Sequence, residues 1–106
     1  MSSQSTIHIT FELPPKALPK FYKALKTLQE HVIAEPECVY FNCFELPKQP
    51  GKVRIVEIWS QDKKWRKEVQ ARKSYYEPFM RVVDALESKP KKVEALQAIE
   101  GFYFGR

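Results

Sequence analysis

Glycine is scarce in this chain. Its 106 residues hold three, Gly51, Gly101 and Gly105, too few and too scattered for a loop whose backbone cradles phosphates. The two cysteines, Cys38 and Cys43, form no Cys-x-x-Cys pair, and the two histidines, His8 and His31, are not clustered. No metal motif is therefore present, and no serine–histidine arrangement can be argued. No apolar run approaches the ~20 residues that span a membrane. The start, MSSQST, lacks the basic and apolar parts of a signal peptide. A cytosolic (cytoplasmic) protein with no membrane partner is expected. Internal repeats and low-complexity tracts are absent too.

What remains has an ordinary globular balance, with 43% apolar and 29% charged residues. The length suits one domain, with a core over residues 6–99 and a tail over 100–106. Aromatics reach 13%, and such side chains dominate both cores and interfaces. The net charge is +5. Lys16, Lys20, Lys23 and Lys26 recur at helical spacing, and Lys63, Lys64, Arg66, Lys67, Arg72 and Lys73 form a second basic stretch. Basic surfaces attract anions, nucleic acid included; the plainer reading is a solvated helix face.

Hydrophobic periodicity places the elements. TIHITFEL (6–13) alternates, with Ile7, Ile9, Phe11 and Leu13 on one face and Thr6, His8, Thr10 and Glu12 on the other. That is a strand, ended by Pro14 and Pro15. Leu18, Phe21, Tyr22, Leu25, Leu28 and Val32 form a stripe at the helical period, with Pro19 tolerated in the first turn. His31, near the end of this helix, reads as a surface residue well placed on the helix dipole. ECVYFNCFEL (37–46) and VRIVEIW (53–59), joined by PKQPGK, read as an antiparallel hairpin. Cys38, Tyr40, Asn42 and Phe44 are predicted on one face of the first hairpin strand. Cys38 and Cys43 then point to opposite sides and cannot pair, which suits a reducing compartment and buried, inert thiols.

Asp62 is a candidate cap for a second helix, along which Trp65, Val69 and Arg72 point one way. Ser74-Tyr75-Tyr76-Glu77 resembles a capping box that restarts it, and Tyr75, Phe79, Val82, Val83 and Leu86 continue an apolar stripe. The segment from Lys92 suits a helix by Val93, Leu96 and Ile99, and a strand by Val93, Ala95, Gln97 and Ile99; strand is chosen over 92–99. Phe102, Tyr103 and Phe104 then need a surface to dock on, which a second subunit can supply. The order is β-α-β-β-α-β, an α+β, ferredoxin-like arrangement with a four-stranded antiparallel sheet. Helices cover one face. The second apolar face calls for the sheet of a partner, giving a two-fold homodimer.

The Glu-x-Trp at Glu57 and Trp59, followed by Asp62 and a helix, is similar to the signature of the antibiotic biosynthesis monooxygenase family, whose fold is the dimeric α/β barrel. The longer stretch EIWSQDKKWRKEVQARKSYYEPF resembles its fungal branch, and the resemblance spans roughly residues 6–99. It implies a small oxygenase of secondary metabolism that needs no metal, flavin or other cofactor. Molecular oxygen and an electron-rich phenol, hydroquinone or aromatic polyketide are its implied partners. Haem-degrading members use a histidine on the second helix, which is missing here. Quinol oxygenases often carry a histidine at a place that aligns with Glu68.

A cofactor-free oxygenase must deprotonate its substrate, stabilise the anion and exclude water from a flat cavity. His8, on the polar face of the first strand, is one candidate base; its alternative is a hydrogen-bonded histidine facing a dimer interior. Glu57 is the other, with a salt bridge to Arg54 or Arg72 as its alternative. Trp59 and Tyr40 are candidate walls for a planar substrate, or core. Asn42 is a candidate donor to a substrate oxygen, or a satisfied polar group of the sheet. Tyr75 and Tyr76 are placed at a pocket mouth, with one of them in the core. Arg72 is a candidate for holding a phenolate, or a surface residue. Two rival functions use the same fold: a non-oxidative polyketide-tailoring enzyme (cyclase or decarboxylase), and a non-catalytic small-molecule- or RNA-binding module. Against RNA, the aromatic-and-glycine strand signature of RNA-recognition domains is missing.

Overall fold

Strict alternation along one strand organises the molecule. In VRIVEIW, Val53, Ile55, Glu57 and Trp59 are buried while Arg54, Val56 and Ile58 are half-buried. In the computed structural model, which describes residues 4–86 and 88–106, this strand is β3 (Lys52–Trp59). It is flanked in chain order by β1 (Ser5–Glu12), α1 (Leu18–Ile33) and β2 (Cys38–Glu45), then by α2 (Lys63–Glu68), α3 (Tyr76–Ala85) and β4 (Lys92–Leu96). Three-residue 3-10 turns at Pro15–Ala17 and Gln70–Arg72 lead into α1 and join α2 to α3. All strand pairs are antiparallel, in the order β2-β3-β1-β4. This is the α+β, ferredoxin-like fold expected from the element order.

The register sets which side chains meet. Ile7 lies opposite Glu57 and Ile9 opposite Ile55, so β1 and β3 present one continuous apolar face. The stripe of α1 packs on it through Phe21, Leu25, Leu28 and Val32, and α3 adds Phe79 and Val83. Phe11, Phe21 and Phe79 close a triangle from β1, α1 and α3, with ring centroids 5.3, 5.8 and 5.9 Å apart. Each such pair adds roughly 0.5–1.5 kcal/mol beyond its buried area. The other sheet face carries Thr6, His8, Thr10, Arg54, Val56, Ile58, Tyr40 and Phe44. Arg54 Nε donates to Thr10 Oγ1 across it at 3.1 Å.

Several local expectations need correction. A register shift between Cys38 and Tyr40 inserts Val39 as an extra residue in β2. This switches the alternation, so Cys38 joins Phe41 and Cys43 against the helix-side core instead of sharing a face with Tyr40, Asn42 and Phe44. The thiols thus lie on the same side of the sheet; both are free. Burial, and then the Glu57 carboxylate, push both up, Cys43 to about 11, which favours inert thiols. No side-chain cap is present at Tyr75, where α3 begins, so Ser74 and Glu77 form no capping box. Val69 and Arg72 are exposed because the turn after α2 points Gln70 inward in their place, and Val82 is exposed on α3, whose buried residues are Phe79 and Val83. Pairing of β4 with β1 stops at Leu96, and Gln97–Ile99 leave the sheet. Phe102, Tyr103 and Phe104 are exposed, Tyr103 at 89%. Among the described residues no helix is long and apolar enough to cross a membrane. The expectation drawn from MSSQST rests partly on residues 1–3, which lie outside the described residues.

Gly51 closes the β2–β3 connection at φ +89°, and Leu13 N donates to its carbonyl at 2.9 Å. A Cβ there would sit 2.1 Å from Leu13 O. Gly51→Ala is expected to destabilise the fold well beyond the roughly 1–2 kcal/mol that left-handed backbone alone costs a side chain. Gly101→Ala, at φ +90° in open space, is the control, and urea unfolding of both variants checks the difference.

Candidate functional site

Glu57 and Trp59 sit two apart on β3 and both point toward the helices. Trp59 is fully buried, and its Nε1 donates to Glu57 Oε1 at 2.9 Å. Glu57 is only 4% exposed. Burial raises its carboxyl above the usual range; the indole hydrogen bond and the Arg66 guanidinium pull it partly back. The expected partners are not the ones found. Arg54 lies on the opposite face of the sheet and Arg72 is exposed; the cation that bears on Glu57 is Arg66.

Asp62 caps α2 by accepting from Trp65 N at 2.9 Å. The cap aims this short helix so that Trp65 packs on Trp59, with rings 5.9 Å apart at 48°. It also turns Arg66 inward, to 9% exposure. The following turn buries Gln70 almost completely, at 1%. Gln70 Nε2 donates to Tyr75 OH at 2.6 Å and to Tyr76 OH at 2.8 Å. Tyr75 OH in turn donates to Glu35 Oε2 at 2.7 Å, and Lys73 Nζ lies 3.5 Å from the same oxygen. His31 stacks on Tyr75 at 5.0 Å, nearly parallel. Burial raises both phenols, with Tyr76 pushed up to about 12, so both keep their protons near neutral pH. Glu57 also bears on Tyr76, which ties the strand end of this cluster to the helix end.

Two buried polar side-chain atoms among the described residues lack a hydrogen-bond partner, Arg66 Nε and Gln70 Oε1. Both belong to this cluster. Such orphaned groups are uncommon in folded proteins and mark a place for a water or ligand.

Of the residues predicted for a site, the fold brings Glu57, Trp59, Tyr75 and Tyr76 together. It puts His8, Tyr40 and Asn42 on the other side of the sheet. Asn42 Nδ2 donates to Tyr40 OH at 3.0 Å, and its Oδ1 accepts from Cys43 N at 2.8 Å, which satisfies both side chains locally. His8 lies opposite Val56 and beside Glu94, in an open groove of about 570 Å³ with Phe44, Leu46, Pro47, Arg54 and Val56. Arg72 stands outside the cluster on an exposed turn. Glu35 and Gln70 were missed, and Arg66 was read only as part of a basic stretch. The available signal was the spacing of Arg66 and Gln70, four apart beside an inward Trp65. Among the described residues no group of three or more side chains could hold a metal ion.

An open-faced antiparallel sheet, two covering helices and a buried acid on the third strand define a class of small α+β proteins. Residues 5–73 match the antibiotic biosynthesis monooxygenase family, and the chain belongs to it. A protein of the fungus Pestalotiopsis microspora named as a monooxygenase is 28% identical over 96 residues, covering 91% of this chain and 80% of the relative. Among solved structures, a protein of Caulobacter crescentus described as an antibiotic biosynthesis monooxygenase without an established activity superposes with a TM-score of 0.83 at 18% identity, covering 93% of this chain and 92% of the other. SnoaB, a cofactor-independent oxygenase from Streptomyces nogalater, superposes with a TM-score of 0.74 at 14% identity, covering 94% and 97%. At these identities the structural matches speak for the fold.

The raised carboxyl of Glu57 makes a signed prediction. The native state holds its proton more tightly than the unfolded chain, so Glu57 stabilises below the ordinary carboxylate range, near 4.5. That stability is lost as pH rises through the folded value. Glu57→Gln, which keeps the acceptor for Trp59, is expected to melt higher than the parent at pH 8 and with little difference at pH 4. Thermal melts of both proteins across that range check it, and a lower midpoint at pH 8 contradicts it.

Proposed function

We propose that this protein is a cofactor-independent monooxygenase that oxidises a phenolic, hydroquinone or aromatic polyketide-like molecule with molecular oxygen. The observation that carries the reading is Glu57, a buried acid with a raised pKa beside the packed indoles of Trp59 and Trp65. A carboxyl held above its ordinary range is a stronger base than a free carboxylate, and it can take a proton from a weak carbon or oxygen acid and give it back. Family membership supports the same reading.

The chemistry balances without a further reductant. For a methylene between two aromatic rings, proton removal gives a carbanion delocalised onto the neighbouring carbonyl. One electron passes from it to oxygen, and the resulting pair collapses to a peroxide. Loss of water then leaves a ketone, so one oxygen atom enters the product and the other leaves as water. Glu57 serves as base in the first step and returns the proton in the last. Trp59 and Trp65 exclude water, and Tyr75 and Tyr76 border the site as neutral hydroxyls. His8 is the alternative base on the open face, where it works only on a molecule bound in that groove.

The reading also takes the protein as a homodimer in which the open sheet faces meet, since Val56 and Ile58 are half-buried and Tyr40, Phe44 and Leu96 exposed in one chain. Sedimentation at micromolar concentration is expected to give twice the 12.5 kDa of one chain, and Val56→Glu to give the single chain.

Oxygen uptake with a panel of hydroquinones and anthrones tests the activity, with metal and flavin assayed in the same sample. Uptake is expected to require the protein and no added cofactor. Glu57→Gln is expected to lower it by about 10²-fold or more, the ordinary range for a general base, and His8→Ala much less. The reverse order makes His8 the base. Turnover without oxygen uptake, with an unchanged or carbon dioxide-depleted product mass, assigns the protein to non-oxidative tailoring.

A further inference from the structure

Gln70 is oriented by a chain of donors that begins at the surface. Tyr75 has one hydroxyl hydrogen and gives it to Glu35. Its oxygen can therefore only accept from Gln70, which places the amide nitrogen toward both tyrosines. The carbonyl end must then point away from them, where Gln70 Oε1 finds no donor. Four residues earlier Arg66 is buried too, and its Nε finds no acceptor. A buried donor and a buried acceptor thus stand unpaired in one layer and do not pair with each other. Leaving such groups unmade is costly, so the arrangement favours a third group that serves both.

That group must accept one hydrogen bond and donate one. A hydroxyl does both. A ketone or an ether satisfies Arg66 and leaves Gln70 Oε1 alone. A carboxylate has no hydrogen for Gln70 and brings a second negative charge close to Glu57, which already bears on Arg66. A quinone fails in the same way as a ketone. Trp65, next to Arg66 in sequence and packed on Trp59, offers the aromatic surface beside these groups.

We propose that Arg66 and Gln70 form the polar anchor of the substrate site and hold a neutral aromatic hydroxyl, with Arg66 Nε donating to its oxygen and Gln70 Oε1 accepting its hydrogen. The proposal rests on the reading of the site as one for aromatic small molecules and adds which functional group is selected. It makes the reduced, hydroxyl-bearing molecule the ligand and its quinone, ether and acid analogues poor ones. Glu35 and Tyr75 act as positioning residues, since they set which end of the amide faces inward.

The test needs no turnover. Binding of 1-naphthol, 1-methoxynaphthalene and 1-naphthoic acid is measured by equilibrium dialysis under nitrogen. The wild-type protein is expected to bind 1-naphthol at least about tenfold more tightly than either analogue, the size of one lost buried hydrogen bond. The ether is the more apolar molecule, so simple hydrophobic uptake predicts the opposite order. In Gln70→Leu and Arg66→Met the preference for the hydroxyl is expected to vanish. Arg66→Lys, which keeps a buried positive charge but has no Nε donor, is expected to lose it too, and circular dichroism confirms that each variant is folded. If a variant does not fold, the wild-type comparison alone still decides. No naphthol binding, equal binding of naphthol and ether, or a preference that survives in a folded variant overturns the proposal and leaves these atoms to water. The preference without oxygen uptake keeps the anchor and removes the oxygenase; uptake without the preference does the reverse.

Discussion

Three phenylalanines hold the layers together. Phe11 belongs to the sheet, Phe21 to α1 and Phe79 to α3, and their rings meet at 5.3–5.9 Å. Helix α3 is short, ten residues, and sends only Phe79 and Val83 deep into the core. Its height above the sheet is therefore set largely by this contact. The polar cluster depends on that height, because Tyr76 is the first residue of α3 and Tyr75 directly precedes it. A helix displaced by the width of one ring would carry both hydroxyls away from Gln70. The apolar core thus fixes the geometry of hydrogen bonds that lie outside it.

The layers were easy to read from residue order, because each element announces its buried face by a simple period. The α1 stripe and the alternation of β1 and β3 follow directly from period 3.6 and period 2. The same alternation puts Trp59 and Glu57 on one shared face, but it does not say that this face meets the helices. The errors cluster where one residue breaks a period. Val39, inserted in β2, reverses the alternation and changes the face of Cys38. The turn after Glu68 swings Val69 and Arg72 outward. The membership of the polar cluster was harder to see, since Glu35, Arg66, Gln70 and Tyr75 come from three separate segments. The spacing of Arg66 and Gln70 relates those two alone; only the docked helices bring Glu35 and Tyr75 to them.

The electrostatic character of the interior is also uneven in a useful way. The carboxylate on β3 faces one guanidinium, and the phenols on the helix side stay protonated. One side of the cluster thus carries a carboxyl held above its ordinary range, and the other carries neutral hydroxyls that accept from Gln70. Glu35 and Lys73 form the rim of the phenolic side, with Lys73 the more exposed of the two. In the proposed reaction, proton transfer and substrate orientation would fall to different elements, the strand for the first and the helices for the second.

The bulge at Val39 has a consequence beyond the faces of two thiols. β2 lies at the border of the sheet, and its outer backbone groups have no neighbouring strand within the chain. A straight border of this kind invites another molecule to add a strand, and repeated addition builds insoluble fibrils. An extra residue bends and twists the border so that its hydrogen-bonding groups no longer match a regular strand over its full length. Growth in that direction is discouraged. A single inserted valine thereby guards one border of the sheet against open polymers.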